Sequence, residues 1–157
     1  MNNQTVDFKK AVIAEVRTDI NTSIRSLFAK QAFKVNDVIS NFTWDKIYTT
    51  PTYLTVQIAE NIHVELIPTF LECINHSCEP NAFFETSKKA LICIKPIQIG
   101  EEFTFFYPSA EWEMDQPFEC LCRSKSCIGF VRGALYLNKE QHMKYRFTDF
   151  IQQKLKC

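Results

Sequence analysis

Cys120, Cys122 and Cys127 place three thiols within eight residues of one another. A structural zinc is closed by four tetrahedral ligands, so this spacing lacks one ligand that must come from elsewhere. A second concentration of chemistry lies upstream, at Asn75-His76-Ser77-Cys78-Glu79-Pro80-Asn81. Pro80 fixes its own φ and pushes Glu79 towards extended backbone, so these polar residues form a shaped turn and not a continuing helix. A chain that buries such a turn has to pair every donor and acceptor in it, as a built site does. His76 and Cys78 also invite a Cys–His nucleophile. Two residues apart on a turn their side chains need not meet, and no orienting third group is evident, so that reading is the weaker one. The third candidate is Tyr107, which closes the apolar run Phe103–Phe106. Alternation along that run sends Phe105 and Phe106 to opposite faces.

The frame that must hold these residues is bounded by composition. At 157 residues one domain is expected, large enough to bury most of its apolar surface. Hydrophobic residues make up 46% and there are 14 Phe, which excludes a disordered chain. The 18 basic and 18 acidic residues balance, which argues against a direct electrostatic grip on nucleic acid. No run reaches the ~18 apolar residues of a membrane span, and the first 25 residues carry no signal-peptide hydrophobic region. The expected setting is therefore cytoplasmic or nuclear, not secreted. There, seven cysteines read as metal ligands or buried thiols before disulfides.

Residues 1–9 are polar and read as frayed, and Ala11–Val16 alternates as a first strand. Asp19–Ser23 reads as a turn, and Ile24–Ala29 with Phe33–Ile39 as a hairpin-like pair. Phe42–Pro51 is loop-like, Tyr53–Ala59 and Ile62–Leu66 are strands, and Pro68–Ile74 fits one or two helical turns. Asn81–Thr86 and Ala90–Lys95 form a hairpin across Ser87-Lys88-Lys89. Cys73 and Cys93 sit in apolar runs and read as buried thiols. Asn138–Leu155 predicts one long helix, capped by Asn138 with Gln141 closing a capping box. Its apolar stripe of Met143, Phe147, Phe150 and Ile151 either covers the domain or pairs two copies in a homodimer.

Three stretches, in order, resemble one family. Asn75–Asn81 is similar to the N-H-S-C-x-P-N signature of SET-domain protein-lysine methyltransferases. Gly100-Glu101-Glu102-Phe103-Thr104-Phe105-Phe106-Tyr107 is similar to its G-E-E-L-T-F-x-Y segment. Phe118-Glu119-Cys120-Leu121-Cys122 with Cys127 looks like its post-SET C-x-C-x4-C. The resemblance, to a small stand-alone member, implies a mainly β fold. This is a β-clip or SET-like arrangement of several short sheets with a pseudoknot, plus a C-terminal α-helix. It divides the chain into a SET domain (10–108), a post-SET zinc-binding segment (109–133) and a C-terminal helix (134–157).

The same resemblance implies methyl transfer from S-adenosylmethionine to the side-chain amine of a protein lysine, histones being one candidate class. It assigns Tyr107 as the catalytic tyrosine, aligning amine and departing methyl with no classical base. Tyr53 and Phe105 are implied to line the lysine channel. The residue at position 105 sets how many methyl groups are added, and phenylalanine there implies di- or trimethylation. Arg25, Ser26, Leu27, Phe28, Asn75 and His76 are implied to hold the cofactor, with Trp112 and Leu121 packing on it. Cys78 supplies the fourth zinc ligand beside Cys120, Cys122 and Cys127. Four departures stand out. Ile24 and Ser26 occupy glycine positions, and a β-branched residue takes positive φ only at a cost, which weakens the expected cofactor grip. Asn36 is an easy replacement for a third glycine. Arg123 replaces a glycine at an exposed turn, and Phe106 stands where an Asp is common. Ile24 and Phe106 motivate one alternative, a binding module without activity; the short groove segment 42–51 motivates another, an enzyme acting on a small molecule.

Overall fold

The computed structural model describes residues 13–157. The readings for residues 1–9, and for the start of the Ala11–Val16 strand, lie outside the described residues. Twelve short strands form five small sheets. β1 (Ala14–Thr18) pairs antiparallel with β2 (Arg25–Ala29) around the Asp19–Ser23 turn. The Asp19 carboxylate closes that turn by accepting from the backbone N–H groups of Asn21 and Thr22. β2 is therefore not the partner of 33–39, as the sequence suggested. Phe33 instead bridges Ile97, and β3 (Val38–Asn41) joins β8 (Ala82–Glu85) and β9 (Ala90–Cys93) in the order β3-β9-β8. Asn36 takes the left-handed φ of 74° expected of it. In the first turn the left-handed residue is Ser23, φ 59°, so Ile24 is spared the strain expected at that position.

β4 (Ile47–Tyr48), inside the segment read as loop, lies at the edge of a sheet of order β4-β6-β5. β5 spans Thr55–Ala59 and β6 Ile62–Glu65. Tyr53 sits in the turn before β5, not on the strand. The 3-10 segment Thr69–Cys73 begins after Pro68, whose missing N–H is lost at no cost at a helix start. It delivers the chain to β7 (Asn75–His76), which pairs parallel with β10 (Thr104–Phe105). One apolar core, including Leu27, Val64, Leu91, Ile97 and Phe103, lies under these sheets. Cys73 and Cys93 are buried in it, as read.

A second, smaller core lies beyond Tyr107. It gathers Phe106, Val131, Ala134, Phe147 and Ile151 beside Cys78 and Cys120. β11 (Phe118–Glu119) and β12 (Phe130–Val131) form its hairpin. Gly133 makes the approach possible: at φ 121° a Cβ would fall 2.4 Å from the Trp112 carbonyl oxygen. Where one long helix was predicted there are two, α1 (Lys139–Lys144) and α2 (Asp149–Lys156). The Asn138–Gln141 capping box is present. Tyr145 leaves the helix to stack on Phe106 (centroids 3.6 Å apart, planes 8°) and donate to the Cys78 carbonyl at 3.0 Å. Thr148 then caps α2 by accepting from Ile151 N–H. Phe147 and Ile151 turn into the second core, so that part of the stripe is used within the chain, while Met143 stays 80% exposed. No described helix is long and apolar enough to cross a membrane.

Candidate active site and thiol cluster

The parallel pairing of β7 and β10 brings together two of the stretches singled out by sequence. Thr104 lies opposite Asn75 and Phe105 opposite His76. Ser77 N–H donates to the Phe105 carbonyl at 3.0 Å, and Asn81 N–H to that of Thr104 at 3.2 Å. The Asn81 side chain completes the lock, accepting from Thr104 N–H (2.9 Å) and donating to the Glu102 carbonyl (2.8 Å). Tyr107 emerges from this junction with its hydroxyl donating to the Ile74 carbonyl at 3.0 Å. Burial, then the carboxyls of Glu102 and Glu111, push its pKa up, so the phenol stays protonated.

Tyr107 stands on the wall of a cavity of about 950 Å³. Its polar side carries Ser26, Asn75, Glu102 and Thr104, and its apolar side Phe105, Leu66 and Val56. Asn75 shares its amide protons among the Arg25 carbonyl (3.0 Å), Ser26 Oγ (2.8 Å) and Glu102 Oε1 (3.0 Å), which pins β2 to the turn. Phe105 packs edge-on against Phe84 (4.8 Å) and lies 4.6 Å from the Tyr107 ring. Phe106 faces the other way, into the second core. The Asp common at that position has no polar role to fill here, because the ring is sealed against Tyr145.

Behind His76 the four sulfurs of Cys78, Cys120, Cys122 and Cys127 lie within 4.8 Å of one another. A tetrahedral zinc with bonds of about 2.3 Å needs sulfurs about 3.8 Å apart, and Cys78 and Cys120 already stand at 3.8 Å. Backbone N–H groups of Ile128 and Gly129 point at Cys78 and Cys127, each at 3.4 Å. Burial pushes the Cys78 thiol up and that of Cys120 to about 11. At Cys122 burial acts in the same direction, but hydrogen bonds from Ser124 outweigh it and bring the thiol to about 6. Four crowded sulfurs, with backbone donors aimed at two of them, can hold a metal ion.

His76 joins the two sites. Its Nδ1 accepts from Tyr107 N–H at 3.2 Å, which leaves the ring proton on Nε2, 3.3 Å from Cys78 Sγ. Burial lowers its pKa to about 4, so the ring is neutral. His76 and Cys78 therefore do meet, contrary to the sequence reading. Cys78 is fully buried among the other sulfurs, however, and serves no nucleophilic attack.

Not every expected residue reaches the cavity. Of Arg25–Phe28 only Ser26 lines it; Arg25 pairs with Glu72 at 3.0 Å, Leu27 is sealed in the first core and Phe28 lies under the Arg17 guanidinium. Trp112 packs against the second core with Lys154 over its ring and does not line the cavity, while its backbone N–H donates to Gln57 Oε1 at 3.0 Å. Leu121 lies on the rim, 81% exposed, and Tyr53 at the mouth, 70% exposed. Sequence reading missed Phe118, whose ring stands edge-on to both His76 and Tyr107 at 5.8 and 5.9 Å. The period of two from Cys120 could have found it. It also missed Glu111, which no spacing signals.

Residues 24–108 match the family model for the SET domain. The chain is 37% identical over 119 residues to the methyltransferase flvH of Aspergillus flavus, covering 74% of this chain and 65% of that relative. It is 40% identical over 68 residues to the histone-lysine N-methyltransferase Set2 of Drosophila melanogaster, covering 38% of this chain and 3% of that one. A solved structure of KRYPTONITE in complex with mCHH DNA, an H3(1-15) peptide and SAH superposes with a TM-score of 0.57 at 17% identity, covering 74% of this chain and 29% of that one. The chain thus spans just under two thirds of the first relative and a small fraction of the second.

Proposed function

Because the chain belongs to the SET-domain family, we propose that it transfers a methyl group from S-adenosylmethionine to the side-chain amine of a protein lysine, histones being one candidate class. The observation that carries this reading is the β7–β10 pairing, which sets Tyr107, His76 and Phe105 on one cavity. At about 950 Å³ the cavity lies at the upper end of the ~300–1,000 Å³ typical of small-molecule sites, which suits a cofactor with a lysine side chain beside it. Bound there, S-adenosylmethionine supplies an activated methyl on a sulfonium. Ser26, Asn75 and His76 would hold it, with Leu121 closing from the rim. Tyr107 orients the amine with a hydroxyl that burial keeps protonated. Phe105 and Tyr53 wall the approach, and an apolar wall disfavours the charged ammonium. Zinc held by Cys78, Cys120, Cys122 and Cys127 would tie the 109–133 segment to the SET core of 10–108.

The binding-module reading loses both its motives, since Ile24 escapes positive φ and Phe106 has its own buried place. A small amine as substrate keeps one: only the two-residue β4 stands in the segment beside the groove. Tritiated cofactor with a cell extract, separated into proteins and small molecules, distinguishes the two. Label on protein lysine is expected; label confined to small molecules would install the second reading, and none in either fraction would remove both. Tyr107→Phe should cut turnover by about 100-fold or more with cofactor affinity nearly unchanged. A variant retaining most of its rate would show that the site is misplaced.

A further inference from the structure

Two glutamates among the described residues are more than nine-tenths buried, Glu85 and Glu111. Glu85 has a counterion, the guanidinium of Arg146. Glu111 has none. Its Oε1 accepts from Gln57 N–H at 3.1 Å, and among the described residues its second oxygen has no hydrogen-bond partner. It stands on the wall of the cavity that holds Tyr107. Burial without a cation favours the neutral acid, and such a carboxyl kept at a cavity leaves a place where an incoming cation would stabilise its ionised form.

We propose that, in place of the base-free transfer the resemblance implies, Glu111 is a substrate-binding carboxyl: it takes the ammonium group of the incoming amine and accepts its proton. The proposal rests on methyl transfer to an amine as the reaction of this cavity. In the step an ammonium N–H bond breaks and an O–H bond forms on Glu111 Oε2, leaving a neutral amine and a neutral carboxylic acid. The freed nitrogen lone pair is what methyl transfer requires. In the empty cavity burial favours the neutral acid; an ammonium beside Glu111 favours the carboxylate, and burial then favours return of a proton to it as the amine is freed. A purely structural role would need only the Gln57 contact. Glu111→Gln preserves that contact, since an amide oxygen accepts the same hydrogen bond, and removes the charge and the basicity.

The test uses n-butylamine and its neutral counterpart pentan-1-ol with the whole protein saturated with S-adenosylhomocysteine, read by saturation-transfer NMR. The native protein should bind the amine and not the alcohol, and Glu111→Gln should lose that preference. Equal binding of the two by the native protein, or the same preference in the variant, would overturn the assignment. The carboxyl 13C resonance of Glu111 in the native protein gives an answer that does not depend on the variant folding: it should move on adding n-butylamine, and a resonance that stays put refutes the proposal. In the methyl-transfer assay Glu111→Gln should lower kcat/KM by about 100-fold or more, in the range of general acid–base catalysis. Its affinity for S-adenosylhomocysteine should match the native value. Failure of the native protein to bind S-adenosylhomocysteine would count against the methyl-transfer reading, while the amine experiment would still judge Glu111.

Discussion

Phe105 and Phe106 are neighbours in sequence and belong to different cores. Phe105 joins the first, a broad cluster under three sheets that includes Leu27, Phe84, Leu91 and Phe103. Phe106 joins the second, a small cluster of seven buried residues, two of them cysteines of the thiol group. Tyr107 packs against both. The first core can be held by apolar burial alone. The second is smaller and its hairpin leaves Leu121 81% and Phe130 50% exposed, so aromatic stacking and, on the proposed reading, a metal would make up the missing area. The cavity lies where the two meet. One wall is therefore built into the stable part of the molecule, and the other depends on the weaker part staying docked.

Metal removal should separate the two regions most sharply. Chelation, or Cys122→Ser, should release about one zinc per chain and loosen residues 109–133, as in small domains that fold on metal. Hydrogen exchange measured by mass spectrometry should rise there and stay slow in β8 and β9. Cofactor closure should be lost with the Phe118 and Leu121 wall. Protection of 109–133 unchanged after the metal is gone would show that the second core stands by itself.

A lesser effect is expected at Phe106. Phe106→Ala removes a fully stacked ring and should cost about 3–5 kcal/mol, falling on the docking of the C-terminal segment. Phe106→Asp, which installs the residue common in the family, should not restore a missing function. It would bury a carboxylate against Tyr145 with no partner, and should destabilise the protein at least as much as alanine. Chemical denaturation followed by Tyr145 environment and by activity measures both; greater activity in the aspartate variant would mean that the stacking has been given too much weight.

The same division governs what could be read from sequence. Asn75–Asn81, Gly100–Tyr107 and the Cys120–Cys127 spacing are contiguous stretches, so their chemistry was visible before any fold. The Asn138 cap was legible for the same reason, needing only Gln141 three residues on. The helix break at Tyr145 was not, because its cause is a ring 39 positions away in sequence. Trp112 misled because its ring is taken up by the second core and Lys154, partners distant in sequence. Pairing of β2 with β1 and not with 33–39 depended on Phe33 finding Ile97, again a distant partner. Glu111 carried no signal at all: a glutamate in sequence has no counterion and no burial until the chain closes around it.

The smallest expected effect lies at Phe105, on the stable side of the boundary, and is one of product and not of folding. Its ring is held edge-on by Phe84 and faces the cavity 4.6 Å from the Tyr107 ring. It offers no hydroxyl. A water in the channel beside it would therefore lack one fixed partner, and such a water is displaced cheaply by a methyl group. The amine can then rotate and present a lone pair again after the first transfer. We expect di- or trimethylated product from the native enzyme. Phe105→Tyr adds a hydroxyl that holds the water, so product should shift to mono- or dimethylation. The first core should be little disturbed, because the ring keeps its place and the added oxygen points to the cavity. Mass spectrometry at long incubation with excess cofactor decides the matter. Monomethyl product alone from the native enzyme would refute the assignment; an unshifted product in Phe105→Tyr would place the control of methyl number on the second wall, beside the thiol cluster, instead.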